Sequence, residues 1–214
     1  MVPSVPPLHG DGAGNYRIHI VGNSVQSTLA QELSALLDVP YISLDTLYWG
    51  PGWRECPRDE FRAAVRAALD RHPRGWIVDG NYTKKLGSMI TDEATDTIWL
   101  DPPLLLYFPR LCWRTFVRLL RLAPPCSPGC EEMAGEVFFS RNSIVWWCLT
   151  NHSTVRKRQA VLYRVDGVHV GGRRRRIGGW GVELAAWKRD VQSMVLLRKQ
   201  EGALSPAVAE IARG

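Results

Sequence analysis

The stretch Ile18-His-Ile-Val-Gly-Asn-Ser-Val-Gln-Ser-Thr-Leu-Ala-Gln-Glu-Leu33 constrains the fold more than any other part of the chain. Ile18, Ile20 and Val21 make an apolar strand end, and Gly22 supplies a turn. Leu29, Leu33, Leu36 and Leu37 then recur at three- and four-residue spacing on one helix face. Hydroxyls follow the glycine at the helix start, where unpaired N–H groups and roughly half a positive charge favour an anion. The same residues also serve an ordinary strand-to-helix turn with Ser27 or Thr28 as its N-cap.

This strand–turn–helix unit opens an alternating pattern. Strands are expected at 17–21, 41–43, 76–78 and 97–100, and helices at 27–37, 58–71, 83–88 and 103–122. Apolar strands separated by amphipathic helices imply an α/β fold with a parallel sheet covered on both faces. Ligands of such sheets bind beyond the carboxyl ends of the strands. The polar residues there are Gly22 to Thr28, Asp45, Asp79-Gly80-Asn81-Tyr82 and Asp101, so four segments converge on one edge.

A phosphate-binding loop needs a glycine, four spacers, Gly-Lys and then Ser or Thr, so that backbone N–H groups wrap a phosphate and the lysine reaches its oxygens. Here Gly22 is followed by Asn23, Ser24, Val25 and Gln26, and then directly by Ser27 and Thr28. The hydroxyl pair arrives two residues early, and the second glycine and the lysine are missing. Gly22, Asn23, Ser24, Ser27 and Thr28 are the candidate nucleotide-binding residues of this shortened loop.

Other candidates follow from position. Asp79 ends the apolar run Trp76-Ile77-Val78, where a carboxylate can hold Mg²⁺ together with the Ser27 hydroxyl. Asp45, with Trp49 and Trp53, offers an acceptor and an aromatic wall for a small substrate, and Gly80, Asn81 and Tyr82 adjoin it. Capping by Asp45 and core packing of the tryptophans are the alternative. Arg110, Arg114, Arg118 and Arg121 share a helix face and can clamp transferring phosphates. Arg156, Lys157 and Arg158 can close over the same anion from a lid. Arg173 to Arg176 fit nucleic-acid binding and intramolecular anchoring equally.

Composition narrows the remaining choices. With 214 residues, 45% of them hydrophobic, one core suffices for a single domain over 16–201, carrying a lid and insertion at about 123–181. Residues 1–15, rich in Pro and Gly, read as a flexible leader, and 202–214 as a fraying tail. The longest apolar candidate, 104–122, is interrupted by four arginines and falls short of the ~20 residues of a membrane span. A soluble, cytoplasmic protein is expected. Five cysteines argue for reduced thiols, although Cys126, Cys130, Cys148 and His152 make a zinc site conceivable. The net charge of +6 attracts polyanions without choosing between nucleic acid and nucleotide. Gly171 to Gly181 reads as a glycine-rich structured loop, Phe138 to Leu149 as a helix, and 182–200 as a final amphipathic helix.

Leu44-Asp45-Thr-Leu-Tyr-Trp49 with Pro51-Gly-Trp53, then Trp76-Ile-Val-Asp-Gly-Asn-Tyr82, Thr97-Ile-Trp-Leu-Asp101 and the arginine helix resemble the adenylate-kinase-related P-loop NTPases of the topology modulation, or FlaR-like, family. The resemblance covers about residues 16–122, and Phe138 to Met194 is similar to the longer C-terminal region of fungal members. It implies a nucleoside-monophosphate-kinase-like fold, ATP binding at the Gly22 loop, Mg²⁺ near Ser27 and Asp79, and an arginine-bearing lid. The activity implied is phosphoryl transfer from ATP to a small-molecule acceptor that the family leaves undefined. Members resemble Gly-Asn-Ser-Gly-Ser-Gly-Lys-Ser-Thr where this chain has Gly22-Asn-Ser-Val-Gln-Ser-Thr28, so impaired transfer is expected. The alternatives are a non-catalytic pseudo-kinase that binds a phosphorylated ligand or a protein, and a basic nucleic-acid-binding module. No ribonucleoprotein or helix-turn-helix signature supports the last.

Overall fold

A computed structural model describes residues 5–23, 26–132 and 144–211, with side chains of the last helix described through Glu201. Its centre is a five-stranded parallel sheet in the order β2-β5-β1-β6-β7. The strands are β1 (Arg17–Gly22), β2 (Tyr41–Ser43), β5 (Trp76–Asp79), β6 (Asp96–Asp101) and β7 (Arg174–Gly178). β1 lies in the middle, paired with β5 on one side and β6 on the other. A small antiparallel hairpin, β3 (Trp49–Gly50) with β4 (Arg54–Glu55), lies outside this sheet. Gly52 and Trp53, both at positive φ, turn it.

Alternation along the strands divides the core into two layers. Ile18, Ile20, Ile77, Ile98 and Ile177 face one side, under α1 (Gln26–Leu37) and the C-terminal helix α8 (Val182–Ile211). Trp76 and Val78 face the other, under α2 (Leu44–Tyr48), α3 (Arg58–Asp70), α4 (Thr83–Leu86) and α5 (Met89–Glu93). In α3, Phe61, Val65 and Leu69 recur every four residues and are buried, while its charged residues face out. The helix pair α6 (Leu104–Leu119) and α7 (Ile144–Asp166) packs around Tyr107, Leu111 and Cys148. The expected parallel α/β sheet with helices on both faces is therefore present. Among the described residues no helix is long and apolar enough to cross a membrane.

Several regions depart from the expectation. Gly171 to Gly181 contains a strand: β7 pairs with β6 from Thr97↔Arg174 to Asp101↔Gly178. Residues Arg174–Gly178 of the expected lid and insertion thus complete the sheet, and each arginine of the run finds an internal partner. Arg173 donates to the Ala94 carbonyl, Arg174 to Gln159, Arg175 to the Pro6 carbonyl and Arg176 to Asp101. Intramolecular anchoring is the role these contacts support. Pro7 to Gly10, within the segment expected to be flexible, lie against the sheet. Leu8 is buried, and the His9 and Gly10 N–H groups donate to the buried Asp96 carboxylate. Another departure is α8, which continues to Ile211 where a fraying tail was expected. Of the helix expected over Phe138 to Leu149, the part before Ile144 lies outside the described residues; α7 runs on to Asp166.

Candidate functional site: the carboxyl edge of the central strands

β1 ends at Gly22, where φ is +153° and an added Cβ would lie 2.4 Å from the Leu100 carbonyl oxygen of β6. Only glycine fits such an approach. The Gly22 N–H donates to Asn81 Oδ1 at 3.2 Å, and Asn81 Nδ2 donates back to the Gly22 carbonyl. Asn81 therefore fastens the turn to the segment after β5. That segment is itself held by His19 on β1, whose Nε2 lies 3.1 Å from the Gly80 carbonyl. Burial drives the His19 pKa down to about 4, opposed by the Gly80 bond and aided by Arg174, so the ring is neutral and donates from Nε2. Nothing in the sequence pattern had marked His19.

Ser24 and Val25 lie outside the described residues, so the Ser24 assignment has no described geometry. Asn23 reaches His152 Nδ1 at 3.4 Å, and Gln26 turns its amide nitrogen onto the Gly22 carbonyl. Thr28 is exposed. Ser27 donates to Asp79 Oδ2 at 2.7 Å, and Tyr41 donates to Asp79 Oδ1 at 3.0 Å. Asp79 is buried, and desolvation raises its pKa, with the charge of Asp45 adding to the rise and the Ser27, Tyr41 and Ser43 hydroxyls opposing it. Tyr41 also escaped the sequence reading; a tyrosine opening a three-residue strand carries no distinctive signal.

The donor set tests whether Mg²⁺ fits. A hydroxyl and a carboxylate oxygen within hydrogen-bond reach are hard oxygen ligands, and a cation would offset the cost of ionising a buried Asp79. Ser27 and Asp79 therefore suit Mg²⁺. When bound there, the ion would neutralise charge on phosphate oxygens. The cradle fits a triphosphate less well, since the lysine is absent from the sequence and the Gln26 amide occupies the Gly22 carbonyl.

On the β2 side, Tyr82 donates to Asp45 Oδ1 at 2.6 Å, and the Cys126 thiol lies 3.7 Å from Asp45 Oδ2. Burial pushes the Cys126 thiol up to about 11, with Asp45 adding and Arg118 and Arg114 opposing. Arg114 presents an exposed surface, yet the surrounding protein lowers its guanidinium pKa and the charge of Arg118 lowers it further; Cys126 and Asp45 pull the other way. Arg114 and Arg118 thus belong to the Asp45 neighbourhood. Arg110 instead lines a hollow with Leu100, Pro102, Leu106 and Ile177. Trp49 and Trp53 meet edge to face at 5.6 Å. The segment after α6 straps across them, through Ser127 to the Trp49 carbonyl, Cys130 to the Gly50 carbonyl, and the Trp53 indole to the Glu131 carbonyl. Gly80 and Asn81 adjoin the Gly22 turn, while Tyr82 alone of that trio reaches Asp45.

On the β6 side, Asp101 is buried and accepts from Arg156 Nε at 3.1 Å and from Arg176 at 2.6 Å. Tyr107 hydrogen-bonds His152 Nδ1 at 2.7 Å, one turn of α7 before Arg156. Arg158 is half-buried, with a buried Nε that has no partner among the described residues, and Lys157 is exposed. The four cysteine and histidine candidates for zinc are dispersed. Cys126 contacts Asp45, Cys130 contacts Gly50, and Cys148 and His152 both contact Tyr107. Among the described residues no three His, Cys, Asp or Glu side chains are grouped to hold a metal.

Fold and site together define an α/β protein whose polar groups converge on a glycine turn at the carboxyl edge of a parallel sheet. No protein-family model matches the chain, and no curated protein does. Among solved structures, it is similar to a shikimate kinase from Bacteroides thetaiotaomicron, at 15% identity and a TM-score of 0.42, over 86% of this chain and 98% of that one. A likeness this remote transfers neither substrate nor residue roles.

Proposed function

We propose that this chain is a nucleotide-binding protein of the P-loop, kinase-like kind, related to the topology modulation family, with phosphoryl transfer impaired by its shortened loop. The observation that carries the reading is the Ser27 hydroxyl on the Asp79 carboxylate at 2.7 Å, beside a Gly22 turn that Asn81 fastens. A helix-start hydroxyl and a strand-end carboxylate are the pair that holds Mg²⁺ in P-loop enzymes. ATP would lie at Gly22, Asn23, Ser24, Ser27 and Thr28. Asp45, with Trp49, Trp53 and Tyr82, would receive a small acceptor, and Arg114 and Arg118 would offset phosphate charge.

The non-catalytic reading is favoured by one specific contact, the Gln26 amide on the Gly22 carbonyl, which closes a turn already lacking its lysine. It predicts binding without turnover. Calorimetry with Mg-ATP separates the possibilities, using the chain as it stands and a version in which Gly-Ser-Gly-Lys replaces Val25-Gln26. Tighter binding and ATP turnover gained by the restored version are expected. Binding by neither would discard the nucleotide reading altogether.

A further inference from the structure

The shortened loop has lost its cation, and a positive charge stands immediately beside it from another source. Gly22 is paired in register with Leu100, so Asp101 is the next residue along the neighbouring strand. Its carboxylate, buried at the strand end, takes two guanidinium groups at once: Arg156 from α7 and Arg176 from β7. Two positive charges on one carboxylate leave a surplus of one. Arg156 uses only Nε in this contact, and Arg176 uses Nε and one terminal nitrogen. Three guanidinium nitrogens therefore carry no hydrogen bond among the described residues. Both side chains are accessible, at 50% and 41% exposure.

Two contacts tie this cluster to the loop. Asn23, the residue after Gly22, reaches His152 Nδ1 at 3.4 Å, and His152 lies one helical turn before Arg156, on the same face of α7. Tyr107 meets the same ring nitrogen at 2.7 Å and so fixes the turn of α7 that presents Arg156. Arg176 lies over the Trp99 ring at 5.1 Å, which holds its plane beside β6. The cluster thus flanks the Gly22 turn on the β6 side, opposite the Ser27–Asp79 pair on the β5 side. A guanidinium held by a carboxylate through one edge keeps its remaining N–H groups aimed, which is the arrangement that binds phosphate oxygens strongly.

We propose that Arg156 and Arg176, held jointly on Asp101, supply the phosphate-binding charge that the missing loop lysine would otherwise give. This proposal rests on the nucleotide reading above and goes beyond it, since it makes the chain a phosphate binder with a relocated cation instead of a disabled copy. A cluster that only pins α7 and β7 to the sheet would have no preference for phosphate number.

The test is calorimetric titration of the full-length chain with Mg-ATP, AMP, adenosine and inorganic tripolyphosphate. The proteins compared are the chain as it stands, R156Q, R156K, R176Q and the loop-restored version. Affinity of the unaltered chain should rise with phosphate number. R156Q and R176Q should each lose about tenfold or more in Mg-ATP and tripolyphosphate binding, with adenosine altered by less than about twofold, and R156K, which keeps the charge without the planar fork, should fall between R156Q and the unaltered chain. Thermal unfolding verifies folding, and should R176Q fail to fold, the exposed Arg156 decides through R156Q against R156K. Equal Mg-ATP binding by R156Q and the unaltered chain overturns the proposal, as does a loss that falls on adenosine as well. Binding by the restored version alone overturns it too while leaving the nucleotide reading standing; binding by neither version removes both.

Discussion

At the residue scale, Asp79 sets stability against the metal-binding role proposed for it. Its two oxygens accept hydroxyls from Ser27 and Tyr41, yet burial raises its pKa above that of an unfolded carboxylate. The folded chain then holds the proton more tightly than the unfolded chain does. Stability from this group is present at low pH and is lost as pH rises through the raised value, so ionised Asp79 costs stability at neutral pH. D79N should remove that cost. The free energy of urea unfolding, compared between the variant and the unaltered chain, should favour D79N increasingly as pH rises from about 4 through the raised value, and level off above it. Mg-dependent ATP binding should meanwhile disappear. A stability difference that stays flat with pH would show that the hydroxyls outweigh desolvation at this carboxylate.

Elements show where local sequence decides structure and where packing does. The strands at 41–43 and 76–79 and helices α1 and α3 follow from apolar periodicity, because each buries one face against the sheet. The Asp79–Ser27 pair was legible for the same reason, since strand ends and helix starts share one sheet edge. β7 was not legible: four consecutive arginines between glycines have no strand pattern, and they become a strand only because Ala94, Gln159, Pro6 and Asp101 receive their guanidinium groups. Asp101 was marked as a strand-end group, but its two arginines come from segments 55 and 75 residues away, a distance no local spacing encodes. The N-terminal segment is a similar case. Leu8 stands alone among Pro and Gly in sequence, yet it joins the core under α8, and the Trp187 indole donates to the Pro7 carbonyl at 3.0 Å. Leu8→Ala should cost about 2–5 kcal/mol in chemical denaturation, as for other fully buried leucines. A loss under about 0.5 kcal/mol would return this segment to the status of a loose leader.

Across the whole molecule, the question is what a net charge of +6 does. Charge that is tied up internally does not attract a long polyanion as free charge does. The most basic run, Arg173 to Arg176, is spent on carbonyls, an amide and a buried carboxylate. Arg66, Lys85, Arg121 and Lys188 are paired with acidic neighbours. Near the sheet edge, Arg114 and Arg118 lie in the Asp45 neighbourhood, and the Arg156–Asp101–Arg176 cluster beside Gly22 carries one surplus positive charge; such separate charges suit a compact anion, whereas a nucleic-acid backbone needs an extended basic track. Binding to a single-stranded oligonucleotide should therefore be weak. It should also vary shallowly with salt, with a log–log slope corresponding to no more than about three released counterions. Fluorescence anisotropy from low to physiological ionic strength measures this slope directly. A slope corresponding to six or more phosphates would mean that the basic helices α6 and α7 act as one continuous surface, and would move the protein into the nucleic-acid-binding class. A shallow slope together with competition by tripolyphosphate would place the usable charge at the Gly22 turn.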